Sequence, residues 1–324
     1  MQNVIQVKKL SKSFKTRRNK NLITGLFKPD YALRKAVDDV SFAVARCESV
    51  AFLGPNGAGK TTTTKMMTGL IYPSSGTIEV LGFTPHERKK QFLQRIGLVM
   101  GNKAGLNWDL TARQSFELLK KIYGLDEKFY TQRVALLTGL LQVENHLDTQ
   151  VRRLSLGERM KLEVIGAILH NPEILFLDEP TIGLDITAKK QMRKFLREVQ
   201  RESKITIILT SHDMDDVERV CDRAIIINHG KKVFDESLVT LTNKYQDKKY
   251  IRFIFDTLPQ NFAPPISTMT VLESQGTELL VETTTSAMPE LIAHVAGEYT
   301  LNDILIESVP LEEVIEDVFL NSTL

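Results

Sequence analysis

A glycine-rich segment near the start of the chain has the residue types and spacing of a phosphate-binding loop. Residues 54–61 match the pattern G-x-x-x-x-G-K-[ST] at every fixed position, and they follow an apolar run at 49–53. In such a loop backbone N–H groups face phosphate, Lys60 reaches the β- and γ-phosphates, and the Thr61 hydroxyl binds magnesium. A helix is predicted from Lys60. The predicted nucleotide-binding residues here are Gly54, Pro55, Asn56, Gly57, Ala58, Gly59, Lys60, Thr61 and Thr62.

Two adjacent carboxylates end another apolar run. Residues 174–177 are all apolar and are followed by Asp178 and Glu179. A buried strand of this kind ends at the rim of its sheet, where ligands bind in α/β folds. We predict that Asp178 holds magnesium, directly or through water. Glu179 would polarise an attacking water as a general base, an effect worth about 10²–10⁴ in rate.

The composition excludes several classes of protein. The 324 residues include 42 Lys and Arg against 40 Asp and Glu, so the net charge of +2 predicts no bulk attraction to nucleic acid. The two cysteines, Cys47 and Cys221, lie outside any CxxC pattern, which argues against a disulfide framework or a zinc site and suits a reducing cytosol. No run approaches the 18 apolar residues that span a bilayer, so we expect any membrane attachment to come from another chain.

The order of predicted elements indicates an α/β protein with two domains. Apolar runs at 174–177, 205–209 and 224–227 alternate with helical patterns, which predicts a mostly parallel sheet covered on both faces. Strands are expected at 3–8 and 37–46, and two helices from 111 to about 141 with Gly124 between them. The first domain is placed at 1–236. A polar linker at 240–249 and a small α+β domain at 245–324 follow, with strands near 250–255, 269–273, 278–282 and 303–308 and helices near 286–296 and from Leu311.

Further segments appear in register with the phosphate loop and the carboxylate pair. They are Leu154-Ser155-Leu156-Gly157-Glu158, Asp178-Glu179-Pro180-Thr181-Ile182-Gly183-Leu184-Asp185 and Thr210-Ser211-His212-Asp213. These resemble, in turn, the LSGGQ signature, the Walker B and D-loop, and the switch-histidine loop of ATP-binding-cassette (ABC) proteins. The resemblance covers residues 3–232. It implies the P-loop ABC-cassette fold, a mixed sheet with helices on both faces, and a helical subdomain at about 103–165.

The resemblance also implies how the protein works. Two copies would form a head-to-tail dimer with two ATP molecules and magnesium at its interface. Each ATP would lie on one copy's phosphate loop and be closed over by Ser155 and Gly157 of the other, with Asp185 of the D-loop nearby. His212 would hydrogen-bond the γ-phosphate. Phe14 holds the place of an aromatic residue that stacks on adenine, and Tyr31 is the alternative.

The sequence departs from the family pattern at the Q-loop and the signature. Asn102 holds the place of a glutamine that touches magnesium and the attacking water, and Gln94 and Gln114 are the alternatives. Leu156 and Glu158 replace a glycine and a glutamine of the signature. Since Gly157 is kept, the phosphate contact is expected to survive, while the effect of the charge on Glu158 is left open.

Segments 96–102, 107–110 and 156–160 resemble the ATPases of drug-resistance exporters, in which the permease is a separate integral membrane chain. The chain is therefore expected at the cytoplasmic face of the membrane as the ATPase of an exporter. The ATPase of a polysaccharide exporter and a soluble regulatory ABC ATPase remain alternatives. A basic insertion at 15–35 would either contact lipid headgroups or the permease, or form a solvated hairpin.

Overall fold

The computed structural model describes residues 2–17, 31–100, 105–243, 245, 247–257 and 269–321. These residues form two compact units, Met1–Ser237 and Leu238–Leu324. Most of the basic insertion, and Asn102 of the Q-loop, lie outside the described residues.

The first unit is built on a six-stranded sheet. Its strands are β3 (Ser49–Leu53), β5 (Ile96–Met100), β6 (Ile174–Asp178), β7 (Thr206–Thr210), β8 (Arg223–Asn228) and β9 (Lys231–Ser237), in the order β5-β6-β7-β3-β8-β9. All pairs are parallel except β8 with β9. Every residue of β3, β6 and β7 is buried, as the continuous apolar runs predict for strands covered on both faces. The carboxyl ends of β6, β7 and β3 therefore meet at one edge of the sheet.

A second, antiparallel sheet completes this unit. It contains β1 (Asn3–Arg17), β2 (Tyr31–Ala45) and β4 (Ser75–Val80), in the order β2-β1-β4. Strands β1 and β2 are longer than the predicted 3–8 and 37–46, and they pair as far as Arg17 with Tyr31. The extra residues of β1 are polar apart from Leu10 and Phe14, so the sequence shows no regular apolar alternation there.

Helices cover the parallel sheet and form the region between β5 and β6. They are α1 (Lys60–Met67), α2 (Lys90–Leu93), α3 (Ala112–Tyr123), α4 (Glu127–Leu141), α5 (Leu156–Ile168), α6 (Ile186–Ser203) and α7 (Met214–Val220). Short 3₁₀ turns lie at Pro85–Glu87, Glu144–His146 and Val151–Arg153. The predicted pair of helices after Thr111 is confirmed. Helix α3 ends at Gly124, whose φ of 66° lies in the left-handed region typical of a helix C-terminus.

The second unit is a four-stranded antiparallel sheet with helices. Its strands are β10 (Lys248–Phe255), β11 (Thr270–Gln275), β12 (Glu278–Thr284) and β13 (Leu301–Ser308), in the order β11-β12-β10-β13. Its helices are α8 (Leu238–Asn243), α9 (Met288–Glu298) and α10 (Leu311–Asn321). Alternate residues of β10 and β12, such as Phe253 and Val281, pack on Leu291 and Val295 of α9 to form its core.

The start of the predicted linker is wrong, because residues 238–243 form helix α8. Leu238 and Leu241 are buried, and their spacing of three residues places them on one face of the helix. The polar residues between them conceal this short pattern in the sequence. In the described residues no helix is both long enough and apolar enough to cross a bilayer.

Candidate functional site

The phosphate loop is the turn that joins β3 to α1. Gly54 and Gly59 have φ values of 150° and 114°, which residues with a side chain rarely adopt. A Cβ on Gly59 would lie 2.4 Å from the carbonyl oxygen of Ala36, and one on Gly54 would lie 2.1 Å from that of Ile227. Both positions therefore require glycine, because neighbouring backbone carbonyl oxygens leave no room for a side chain.

Helix α1 begins without a side-chain cap. Its N-cap is Gly59, and no acidic residue lies in its first turn. The first N–H groups of this helix thus remain available to an anion at the positive end of the helix dipole. Lys60, at the first helical position, is 7% exposed, and its ammonium donates to the carbonyl oxygen of Pro55 at 3.3 Å. Burial lowers the pKa of Lys60, while the charges of Glu179 and Asp178 oppose that shift.

Asp178 is the last residue of β6 and is almost fully buried. Its Oδ1 accepts a hydrogen bond from the Thr61 hydroxyl at 3.4 Å and another from the Thr210 hydroxyl. Oxygen donors suit magnesium, which often takes only one or two protein ligands beside phosphate and water. In the described part of the chain no group of three or more His, Cys, Asp or Glu could hold a metal. Thr61 and Asp178 offer oxygen donors of this kind, joined by a hydrogen bond.

Glu179 follows β6 and contacts His212 through both carboxylate oxygens. The backbone N–H of His212 donates to Oε2 at 3.3 Å, and the imidazole Nε2 lies 3.3 Å from Oε1. Burial raises the pKa of Glu179 to about 7, with the charge of Asp178 adding to the rise and Lys60 opposing it. A carboxyl group with a pKa in this range is well matched to proton abstraction near neutral pH. Burial, and then Lys60, lower the pKa of His212, so its imidazole is neutral at pH 7.

These residues line one cavity of about 340 Å³. It brings together most of the predicted phosphate loop and the predicted metal, base and switch residues. The lining residues are Asn56, Gly57, Ala58, Gly59, Lys60, Thr61, Thr62, Asp178, Glu179, Ile182 and His212. Ile182 was not predicted; it is 53% exposed, and the sequence offers only its position in the loop after β6.

Ser155 and Gly157 of the signature and Asp185 of the D-loop do not line this cavity. Ser155 is the N-cap of α5, and its hydroxyl accepts from the N–H of Glu158 while the Glu158 carboxylate accepts from the N–H of Ser155. Asp185 is the N-cap of α6 and accepts from the N–H of Ala188 at 2.8 Å. Gly157 lies in the first turn of α5, where a Cβ would meet the nearest described atom only at 3.7 Å.

The adenine and Q-loop predictions have different outcomes. Phe14 is 41% exposed on β1, opposite Arg34 of β2, whose guanidinium lies 3.5 Å from where a Cβ on Gly57 would be. Phe14 does not line the cavity. The side chain of Tyr31 and all of Asn102 lie outside the described residues.

Neither alternative to Asn102 reaches the cavity. Gln94 ends α2 and lines a separate groove between α2, β5, α3 and α5. Gln114 is committed to the N-terminus of α3, where its side-chain oxygen accepts from the N–H of Thr111 at 2.9 Å.

A buried polar cluster that was not predicted lies next to the loops that carry Glu179 and His212. Asp216 of α7 is 1% exposed and accepts hydrogen bonds from the hydroxyls of Thr181 and Ser211 and from Arg193. A run of three aspartates at 213, 215 and 216 after the histidine was the available signal.

Comparison with known proteins places the chain in a family. The family model for the ABC transporter matches residues 37–182. The ABC transporter ATP-binding protein NatA of Bacillus subtilis (strain 168) is 36% identical over 219 residues, which cover 67% of this chain and 89% of NatA. The Nod factor export ATP-binding protein I of Burkholderia orbicola (strain AU 1054) is 37% identical over 203 residues, 63% of this chain and 66% of that protein.

A solved structure of an ATP-binding subunit of an ABC transporter has the same architecture. It superposes with a TM-score of 0.62 at 27% identity and covers 75% of this chain and 93% of that one. NatA is over one-third identical to this chain along nearly its whole length, and this similarity is sufficient to assign the chain to the same family. The chain belongs to the ABC transporter family, as an ATP-binding subunit with ATPase activity.

Proposed function

We propose that this ATPase drives an exporter, that two copies close around ATP in a head-to-tail dimer, and that a separate membrane permease carries the substrate. The single observation that supports this best is that the predicted ATP-binding residues lie in two separate places on one copy. One cavity holds the phosphate loop, Asp178, Glu179 and His212, while the signature residues Ser155 and Gly157 lie elsewhere. A second copy could supply them.

Within one copy, the side chains are suited to distinct parts of ATP hydrolysis. Lys60 and the uncapped N–H groups of α1 bind the phosphates. Thr61 and Asp178 would hold magnesium, which when bound neutralises phosphate charge and polarises its oxygens. Glu179 takes the proton of the attacking water. His212, whose backbone N–H donates to Glu179, can donate to the γ-phosphate from its imidazole.

Exposed apolar side chains support the dimer. Leu156 of the signature and Ile182 of the loop after β6 are 36% and 53% exposed, and Ile186 at the start of α6 is 87% exposed. Leu156 lies beside the loop that carries Ile182, because a Cβ on Gly183, the next residue, would lie 2.5 Å from the Leu156 side chain. Apolar side chains that cluster in this way commonly mark a protein interface.

A groove of about 530 Å³ offers a place for the permease. It is lined by residues of α2, β5, α3 and α5, and its rim includes Leu70 and Ile122, which are 43% and 58% exposed. Its apolar walls include Leu93, Leu98, Leu106, Leu119 and Tyr123. Since the relatives include an export ATP-binding protein, we assign this groove to a cytoplasmic segment of the permease. That assignment places the chain at the cytoplasmic face of the membrane.

Co-purification tests this proposal. The tagged full chain is isolated from detergent-solubilised native membranes beside a Leu70→Lys, Ile122→Lys variant, whose two exposed positions tolerate charge. We expect the parent to retain a multi-span membrane protein and the variant to lose it while hydrolysing ATP at the parental rate. Recovery from cytosol alone, without an integral partner, would contradict the transport role and favour a soluble regulatory ATPase.

A further inference from the structure

We infer that Asp216 is a positioning residue for ATP hydrolysis, because its buried carboxylate holds the loop of Glu179 and the loop of His212 in place together. This inference rests on the proposed roles of those two residues. It concerns a side chain that does not line the nucleotide cavity.

The carboxylate of Asp216 is shared between two loops. Its Oδ2 accepts from the hydroxyl of Thr181, two residues after Glu179, and from the hydroxyl of Ser211, next to His212, at 2.8 Å. Thr181 and Ser211 are each 3% exposed, so neither hydroxyl can exchange this partner for bulk water. One oxygen atom therefore joins the segments that carry the base and the switch histidine.

The other oxygen is fixed by a buried cation. Oδ1 of Asp216 accepts from Nε of Arg193 on α6, and Arg193 is only 7% exposed. The remaining guanidinium nitrogens lie 2.9 Å from Asp213 and 3.0 Å from Asp215. Because every side of the carboxylate has a partner, Asp216 cannot turn away from the two hydroxyls without leaving a buried group unpaired.

Docking of α6 against α7 does not require the two hydroxyl contacts. Asp213 forms ion pairs with Lys189 at 2.7 Å and with Arg193 at 2.9 Å, and Arg197 forms one with Asp222 at 2.7 Å. The bonds from Thr181 and Ser211 are additional to these ion pairs. They act on the loops after β6 and β7 and explain why a carboxylate is buried at this point.

The geometry of the catalytic pair needs such support. Glu179 has a φ of 56°, a left-handed conformation that is strained for a residue with a side chain. It is held on one side by its N–H bond to the carbonyl of Thr210 at 3.0 Å. The contact between Thr181 and Asp216 holds the chain just beyond it. On the other loop, the Ser211 oxygen also accepts from the N–H of Asp213 at 3.1 Å, which orients its hydroxyl toward Asp216.

The test compares full-length variants in steady-state hydrolysis of magnesium-ATP, with thermal unfolding as the check on folding. Asp216→Asn should lower kcat about 10–100-fold, the cost of a small displacement of catalytic groups, with KM for ATP within about three-fold of the parent. Thr181→Val should lower kcat about ten-fold, while Thr181→Ser, which keeps the hydroxyl, should restore it. Asp222→Asn, which removes the ion pair between Arg197 of α6 and Asp222, two residues beyond the end of α7, is the control, and its kcat should stay within about two-fold of the parent.

The inference is overturned if Thr181→Val keeps the parental kcat, or if Thr181→Ser loses as much activity as Thr181→Val. Thr181→Val decides the question even if Asp216→Asn does not fold, because it leaves the Arg193 pair intact. A parent that does not hydrolyse ATP, or a Glu179→Gln variant as active as the parent, would instead refute the proposed catalytic roles on which the inference depends.

Discussion

Two helix N-termini in this chain are assigned to phosphate, and they differ in how their N–H groups are used. Helix α1 follows Gly59, has no side-chain cap and carries no acid in its first turn. Helix α5 follows Ser155, which forms a reciprocal capping box with Glu158. The first is an open anion site within its own chain, whereas the second is already satisfied by its own residues.

The negative charge of Glu158 is a second difference between the N-terminus of α5 and that of α1. The Glu158 carboxylate accepts the N–H of Ser155 at 2.9 Å, and this hydrogen bond lowers its pKa below the usual value for a glutamate. Glu158 is therefore ionised at neutral pH and sits where an incoming phosphate would approach. We propose that the phosphate loop binds ATP first, and that closure by the signature of a second copy is the weaker step.

The largest expected effect comes from Glu179→Gln, which leaves both helix termini intact. It should lower kcat by about 10²–10⁴, because the neutral amide cannot take the proton of the attacking water. ATP should still bind, so the closed dimer should accumulate. Hydrolysis assays and light scattering with magnesium-ATP measure both effects, and a variant that hydrolyses ATP at the parental rate would exclude Glu179 as the base.

The next largest effect is expected from replacing a glycine at the N-terminus of α1, compared with the same replacement at the N-terminus of α5. Gly59→Ala forces a Cβ to within 2.4 Å of a backbone oxygen at a φ of 114°, so it should destabilise the fold by about 1–3 kcal/mol and weaken ATP binding. Gly157→Ala meets no described atom closer than 3.7 Å, and its free energy of unfolding should change by less than about 0.5 kcal/mol. Denaturant unfolding and calorimetric titration with ATP check both. Equal losses of stability would contradict the comparison.

A smaller effect concerns the charge at the signature. Glu158→Gln keeps a side-chain oxygen for the cap but removes the negative charge, so ATP-driven dimerisation in the Glu179→Gln background should strengthen about two- to five-fold. Glu127→Gln, in the first turn of α4, removes an equal charge from another helix start and is the control. Sedimentation equilibrium at several ATP concentrations measures the difference. A weaker dimer in Glu158→Gln would show that the carboxylate assists closure.

The smallest effect is optical. Trp108 is 48% exposed, and the guanidinium of Arg159, on the signature helix, lies 5.0 Å from its ring. The fluorescence emission of Trp108 should therefore respond to changes around the signature helix α5. We expect a change when ATP closes the Glu179→Gln dimer and none when ATP binds a Gly157→Asp variant that cannot close. An equal change in both proteins would mean that Trp108 senses the phosphate loop instead.

The sequence predicted the parts of the fold and site that depend on local pattern. The phosphate loop, the buried strand ending at Asp178 and the helix break at Gly124 each follow from glycine geometry or from a continuous apolar run. The structure brings the loop, Asp178, Glu179 and His212 into one cavity, as expected of neighbouring strand ends. Their catalytic roles remain proposals.

The features that were missed depend on contacts between distant residues. The outer part of β1 is mostly polar, so its pairing with β2 is what identifies it as a strand. Asp216 is separated from Thr181 by 35 residues, and no spacing rule connects an aspartate to a threonine at that distance. Glu158 was recognised as a departure from the family pattern, but its bond to the N–H of Ser155 is visible only in three dimensions.

The most direct test of the composite site mixes two inactive full-length variants. Lys60→Ala disables the phosphate loop, and Gly157→Asp disables the signature. In a head-to-tail dimer, the mixed pair contains one site built from an intact loop and an intact signature, because each element comes from a different copy. We predict that an equimolar mixture regains hydrolysis of magnesium-ATP, up to about one quarter of the parental rate if sites act independently. A mixture as inactive as its components would contradict a site shared between two copies.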